Sequence, residues 1–337
     1  MRRWVLRPGA TGLDQLQLDD VSMPEPGPGE VRVRVRSVSL NYRDQLILSG
    51  SIGVTITEDL VPISDGAGEI DAVGEGVDKW VVGDRITGLY FGGWREGSPR
   101  PGMGRGLGSP GEDGMLAEYV VLKADRVARM PESYSFDQAS TLPCAALTAW
   151  SALKSEQPVR PEDKVLVTGT GGVALFALLF ARSIGAEVIA TTGQEAKVER
   201  VRELGAADVI NYHTTGNWGE VAFERTGGLD KVINAAGGDA MAQSVAAIGY
   251  GGEIAVMGLF SRADQPITLP SLMARGASIR GISVGSSSDY DRMVASINAL
   301  GVVPPIDRVF PFEQAKEAYQ AQISSSLFGK IVIQVAP

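Results

Sequence analysis

Cysteine and histidine are almost absent. Among 337 residues there is one of each, Cys144 and His213. A disulfide within the chain is excluded, and so is a four-cysteine structural zinc site. A catalytic zinc with three His or Cys ligands cannot be assembled from two such residues. Long apolar runs are also lacking. The longest, Val173 to Ala181, falls far short of the roughly 20 residues of a membrane span. Positive charge is in deficit, with 31 Lys and Arg against 40 Asp and Glu and a net charge of -9. Nucleic acid and anionic membrane are therefore poor main partners, because phosphate binding needs a basic face. The opening MRRWVLRPGA is basic but no apolar stretch follows it. A signal peptide is not expected, and the cytoplasm is the default compartment.

What is present describes an ordinary globular chain, 44% hydrophobic and 21% charged. Its length suggests about two domains at roughly 150 residues each, with a core that needs no staples. The first third reads as β-rich. Val31, Val33 and Val35 alternate with Arg32, Arg34 and Arg36, the period-two pattern of a half-buried antiparallel strand. Further short strands are expected near 68–73, 84–89 and 116–122, as in a barrel or sandwich. Between them, 88–114 is dense in Gly and Pro and carries Arg95, Arg100 and Arg105. A loop of that length is a lid over a site or a plain solvated loop.

The middle of the chain changes character. A helix capped by Ser135 or Asp137 breaks at Pro143. Strands at 164–168, 187–191, 208–211, 231–234, 253–257 and 278–282 then alternate with helices at 172–184, 194–204 and 240–247. This rhythm implies a parallel sheet covered by helices on both faces. Helices at 289–299 and 312–321 and a last strand in GKIVIQV complete the chain.

Within VTGTGG, Gly169, Gly171 and Gly172 follow a strand and open a helix, and Ala174 takes the third small position. Gly169 makes the tight turn, and Gly171 lets the backbone approach a pyrophosphate. The N–H groups of the helix start, Gly172 and Val173 among them, face the phosphates. The context on both sides makes this a dinucleotide-binding loop. An NAD site usually carries an acidic residue about 20 positions on. Here the second strand ends in Thr191 and Thr192, Glu195 comes later, and Lys197 could pair with a 2′-phosphate. The pattern leans to NADP(H), against a plain solvated helix lysine at 197.

Several stretches then carry a resemblance. They are NYRD (41–44), SDGAGEIDAVGEGV (64–77), GDRITG (83–88), DGMLAEYVVL (113–122), LPCAALTAW (142–150), the glycine loop, LGAADVINY (204–212) and FGKIVI. Together they resemble the medium-chain dehydrogenase/reductase superfamily over essentially the whole chain, and most closely its zinc-independent, quinone oxidoreductase-like branch. The implied fold is α/β, a Rossmann doubly wound parallel sheet plus a GroES-like β-rich catalytic domain. The expected domains are 1–126, completed by 290–337, and 127–289. In zinc-dependent relatives a cysteine stands where this chain has Asn41, and a Gly-His-Glu motif stands at Ile63, Ser64 and Asp65. Only the third ligand position is kept, as Cys144, which otherwise reads as a small buried residue.

By resemblance, Asn41 and Thr148 lie against the nicotinamide end, and Tyr212 joins Lys197 at the 2′-phosphate. Gly258 and Leu259, Ser283 to Gly285, and Phe328 to Lys330 line the cofactor cleft. Asp44 matches an aspartate that supports a metal ligand in zinc relatives and is expected to be structural here. His213 reads as a surface residue near the adenosine end. The resemblance also implies a homodimer through edge strands near 278–282.

Without zinc, an isolated carbonyl would leave a localised alkoxide unsupported. A quinone or enone spreads the charge, so a weak donor suffices. The expectation is hydride transfer from NADPH to a conjugated or quinone-type acceptor, with Tyr42 beside Asn41 as candidate donor or positioner. Tyr42 could equally be a packing residue, and Tyr90, Phe91 and Trp94 an apolar wall or a buried cluster. One alternative is a zinc-free alcohol dehydrogenase or carbonyl reductase on small ketones or aldehydes. Another is a cofactor-binding protein without turnover.

Overall fold

The computed structural model describes residues 1–51, 53–154, 156–258, 267 and 269–335. The chain divides into two compact units, Met1–Leu147 with Gly285–Pro337, and Thr148–Val284.

The first unit opens with a hairpin that the sequence pattern did not announce, β1 (Arg2–Leu6) against β2 (Leu16–Asp20). Strand β3 (Glu30–Ser39) follows, with Val31, Val33 and Val35 fully buried. Arg32 and Arg36 on its other face pair with Asp71 and Glu69 of β4 (Asp65–Val73). The period-two pattern thus places aliphatic side chains in the core and a ladder of ion pairs outside. Helix α1 (Tyr42–Leu48) comes between these strands, and β5 (Arg85–Gly88), β6 (Tyr119–Lys123) and β7 (Val127–Arg129) come after them. Helix α2 (Phe136–Ser140) is capped by Ser135. The expected break at Pro143 is one wide π-type turn over Leu142–Ala146, which leads into α3 (Leu147–Leu153).

In the second unit β8 (Lys164–Thr168), α4 (Gly172–Ile184), β9 (Glu187–Thr192), α5 (Val198–Glu203) and β10 (Asp208–Asn211) follow the expected rhythm. Helix α6 (Trp218–Thr226) was not anticipated; Trp218 and Ala222, one turn apart, bury its inner face. Then come β11 (Leu229–Asn234), α7 (Met241–Ala247), β12 (Ile248–Val256), α8 (Leu269–Arg275) and β13 (Ser278–Gly281). The sheet order is β10-β9-β8-β11-β12-β13, every pair parallel. This is the 3-2-1-4-5-6 order of a doubly wound dinucleotide-binding sheet, whose order reverses between β8 and β11.

The chain returns to the first unit with α9 (Ser287–Leu300), β14 (Ile306–Pro311), α10 (Ala315–Gln322) and β15 (Lys330–Gln334). The sheet there runs β14-β15-β3-β4-β5-β7, with β6 on the start of β3.

The units part at Leu147 and Val284, whereas the sequence suggested breaks after 126 and 289. The reason is local bonding. Ser39 donates to the Ser140 carbonyl, and the Cys144 N–H reaches Asp65, so α2 and the wide turn belong with β3 and β4. The Ser287 N–H reaches the Trp94 carbonyl, and Thr87 donates to the Tyr290 hydroxyl, so the start of α9 does too. Among the described residues no helix is long and apolar enough to cross a membrane.

Candidate functional site

Two features stand out, one in each unit. The first is a buried polar nest in the first unit. Asn41 ends the loop before α1, where Asp44 accepts its backbone N–H at 2.7 Å and fixes the helix start. The Asn41 carboxamide accepts from the Lys330 ammonium at 2.5 Å and donates to Ser64 Oγ at 3.3 Å. Ser64 donates to Asp65 at 2.7 Å, and the other Asp65 oxygen accepts the Cys144 N–H at 3.0 Å. Lys330 also donates to the Leu40 carbonyl at 2.6 Å. The result is one directional chain from ammonium to carboxylate, drawn from four separate segments.

Burial dominates the electrostatics of the nest. It raises the carboxyl groups of Asp65 and Asp44, opposed by Lys330 and Arg43 respectively. It lowers Lys330, opposed by Asp65. Burial and the nearby Asp65 push the Cys144 thiol up, so it is a poor thiolate ligand. The residue that delivers Ser64 and Asp65 is strained: Ile63 is fully buried at φ 69°, a region β-branched residues avoid.

The long loop borders this nest. Arg43 donates to Asp44, to the Leu107 carbonyl and to Ser109 Oγ. Arg126 bonds Glu112 and the carbonyls of Tyr90 and Arg105. These two guanidinium groups hold the second half of the 88–114 segment, in which Leu107 and Gly114 are buried. Residues 95–102 are largely exposed. Tyr90 and Phe91 stand edge to face at 4.6 Å, and Phe91 meets Trp94 at 6.0 Å. Tyr42, the first residue of α1, is half-buried.

The second feature is a phosphate cradle in the second unit. Gly169 turns at φ +86°, and neither Gly169 nor Gly171 has anything within 4 Å of where a Cβ would stand. The open face lets a ligand approach the backbone. Helix α4 has Gly171 as its cap, so no side chain occupies its first N–H groups, and no acidic residue lies in its first turn. Such an end suits a pyrophosphate. Thr168 and Asn234, at the ends of the two central strands, accept backbone N–H groups of 235–237 and shape the turn beyond β11.

At the end of β9, Thr191 and Thr192 are buried and Glu195 accepts from Asn211. The Tyr212 phenol lies over Gly193, where a Cβ would overlap its hydroxyl end. Lys197 is buried on a short 3-10 turn and is not a solvated helix lysine. His213 is exposed beside Tyr212.

Of the expected cofactor residues, Thr148, Gly169, Gly171, Gly172, Val173, Thr192, Lys197, Tyr212, Gly258 and Ser283 belong to the second unit. Asn41, Gly285, Phe328 and Lys330 belong to the first. Leu259 lies outside the described residues. Lys330, expected to line the cofactor, places its ammonium on Leu40 and Asn41. Sequence reasoning missed that link, and Tyr90's place beside Arg43, because both depend on contacts between distant segments.

The chain matches the family model for the alcohol dehydrogenase GroES-like domain over residues 27–132 and that for the zinc-binding dehydrogenase over 172–299. A zinc-type alcohol dehydrogenase-like protein of Schizosaccharomyces pombe is 38% identical over 99% of both chains. A quinone oxidoreductase of Sus scrofa is 28% identical over 98% of this chain and 96% of its own. A solved structure described as an NAD-dependent alcohol dehydrogenase is 32% identical, covers both chains fully and superposes with a TM-score of 0.89. Sheet order, glycine cradle and these matches agree: the chain belongs to the medium-chain dehydrogenase/reductase superfamily and is an oxidoreductase of the kind that uses a nicotinamide dinucleotide.

Proposed function

We propose that this protein transfers hydride from NADPH to a conjugated acceptor, a quinone or an enone or enal, without zinc. The observation that carries the reading is the nest. The positions that would hold a catalytic metal are bonded to one another, and an ammonium group lies among them. Asn41 is engaged by Lys330 and Ser64, both Asp65 oxygens are engaged, and burial keeps the Cys144 thiol protonated. A dication would be repelled by Lys330 and would find no free thiolate or imidazole. Among the described residues no three His, Cys, Asp or Glu side chains are grouped to hold a metal ion.

When bound, the reduced dinucleotide supplies the hydride. Gly169, Gly171, Gly172 and Val173 would hold its pyrophosphate, and Thr192, Lys197 and Tyr212 its 2′-phosphate. Thr148, Gly258, Leu259, Ser283, Gly285 and Phe328 are the remaining contacts this reading assigns. Lys330 keeps the Asn41 carboxamide turned, and Asn41 and Tyr42 orient the acceptor. A conjugated acceptor delocalises its new charge, so neutral donors suffice where an alkoxide would need a Lewis acid.

The test is NADPH consumption at 340 nm with a panel of quinones, enones and simple ketones, alongside metal analysis. Turnover with menadione but not with acetone or cyclohexanone is expected. Stoichiometric zinc would overturn the metal-free reading. Relatives named alcohol dehydrogenases favour a second acceptor class, simple ketones or aldehydes, which we take to be reduced here without zinc; alcohol oxidation with NADP⁺ would select it. Tight NADPH binding without turnover on any acceptor would mean a non-catalytic role. An NADH affinity equal to that for NADPH would remove the cofactor assignment.

The reading carries with it a cytoplasmic setting, a small-molecule substrate and a homodimer. Support for the dimer lies in β13, a sheet edge with Ile279 exposed. Arg280 there has a buried Nη1 without a partner among the described residues. Leu269 and Met273 of α8 are exposed as well. Sedimentation at micromolar concentration tests it; a monomer refutes it.

A further inference from the structure

Tyr90 is held on several sides. Its carbonyl accepts from Arg126 and from the Leu107 N–H, and the Arg43 guanidinium lies 5.2 Å from its ring centroid. The hydroxyl end of the ring packs on Gly106, where a Cβ would overlap it. The phenol is half-buried and feels Arg43, Cys144, Asp44 and Asp65, the members and border of the polar nest. Its hydroxyl makes no hydrogen bond among the described residues and is not fully buried. A phenol whose ring is held on several sides, with its donor unspent and reachable from solvent, can meet an incoming acceptor at little further ordering cost.

We propose that the Tyr90 hydroxyl is a further catalytic residue, the hydrogen-bond donor to the carbonyl oxygen of the conjugated acceptor. The inference rests on the hydride-transfer reading and names the group that stabilises charge in it. For an enone, the hydride forms a C–H bond at the β-carbon, the dinucleotide is oxidised and the acceptor reduced. The C=C and C=O electron pairs shift and leave the charge on oxygen. Tyr90 donates to that oxygen and keeps its proton; water then protonates the α-carbon. Burial raises the Tyr90 phenol well above its ordinary range, with Arg43 opposing. The group therefore remains a neutral donor at any working pH.

The test compares wild type with Tyr90→Phe, which keeps the ring. Titration calorimetry with menadione on the cofactor-free protein should show binding about three- to tenfold weaker in the variant. The kcat/KM for NADPH-dependent menadione reduction should fall roughly a hundredfold, the scale of one lost oxyanion donor. The Kd for NADPH should change by less than about twofold, since no dinucleotide contact is removed. Gly106→Ala, which displaces the phenol while keeping its hydroxyl, should reproduce the loss and covers the case of a poorly folding Tyr90→Phe. Unchanged menadione affinity and kcat/KM in both variants would overturn the proposal, as would a wild type that does not bind menadione. If wild type binds menadione, Tyr90→Phe weakens it and neither turns over, Tyr90 stands as the acceptor contact while the hydride-transfer reading falls.

Discussion

Replacing Lys330 with methionine should expose how the nest is balanced. The substitution keeps most of the length of the side chain and removes its charge and donors. Two acceptors then lose their partner, the Leu40 carbonyl and the Asn41 carboxamide oxygen. Each orphaned buried acceptor costs about 1–3 kcal/mol. Asp65 also loses the cation that most opposes its rise, while the desolvation cost of Lys330 itself disappears. The net cost should be about 3–5 kcal/mol, the range for removing one partner of a buried charge pair. The pH dependence makes the reasoning specific. Asp65 and Asp44 are both raised by burial in the folded state, so the native protein holds their protons more tightly than the unfolded chain does. The stability they contribute is full below the ordinary carboxylate range and is lost as pH rises through the folded values. Without Lys330 the Asp65 value rises further, and the loss should continue to higher pH than in wild type. Urea midpoints measured from pH 4 to 8 provide the assay. The double variant Lys330→Met/Asp65→Asn should recover at least about 1 kcal/mol of the single loss near neutral pH. Parallel pH profiles for wild type and Lys330→Met, with no recovery in the double variant, would refute the coupling.

Other outcomes follow from the same geometry. In the second unit Lys231 bonds Glu253 at 3.0 Å and also the Ala152 and Gln157 carbonyls. Lys231→Met alone should cost about 3–5 kcal/mol, and adding Glu253→Leu should restore part of it in a denaturation cycle. Gly193→Ala should push the Tyr212 phenol off the end of β9 and weaken NADPH binding several-fold, with NADH little changed, by fluorescence titration; equal effects on both would sink the 2′-phosphate assignment. Tyr290→Phe removes the acceptor of the Thr87 hydroxyl, with both residues fully buried. It should lower stability by about 1–2 kcal/mol in thermal or urea melts.

Much of the architecture was legible because it is written in local periodicity. The Val31–Arg36 alternation, the uncharged run that became α4 and the glycine turn after β8 each follow from a rule that acts over a few residues. Helix α6 escaped although Trp218, Val221, Ala222 and Phe223 are apolar, because Gly219 stands inside it and Asn217, at the cap, makes no side-chain cap bond. The hairpin of β1 and β2 escaped because its two strands are short and their connection is long. The cradle could be named from the sequence since one loop forms it. The nest could not: resemblance named Asn41, Ser64, Asp65 and Cys144, but the link from Lys330 to Asn41 spans 289 positions and no local pattern carries it. Lys197 shows the same limit in the other unit: its spacing suggested a cation near a phosphate, but only the fold shows it buried.

Ile63 is where local preference and the fold disagree most plainly, and the disagreement can be measured. Its φ of 69° places a β-branched residue in the left-handed region, at a cost of about 1–2 kcal/mol relative to glycine. The surroundings hold it there. Its carbonyl accepts the Met115 N–H at 2.8 Å, and its side chain is fully buried. Gly108 and Gly114 approach its backbone so closely that neither position could carry a Cβ without displacement. Truncation of this side chain should therefore destabilise, by about 2–5 kcal/mol for alanine. Ala retains the Cβ that causes the strain, whereas Gly removes it. Ile63→Gly should accordingly be more stable than Ile63→Ala by about 1 kcal/mol, the reverse of the order at most positions, where glycine is the worse choice by about 0.5–1 kcal/mol. Urea denaturation of the two variants decides it. If Ile63→Ala equals or exceeds Ile63→Gly, the backbone is not strained at this turn. Ser64 and Asp65 would then enter the nest through an ordinary loop and not through a conformation the surrounding fold imposes.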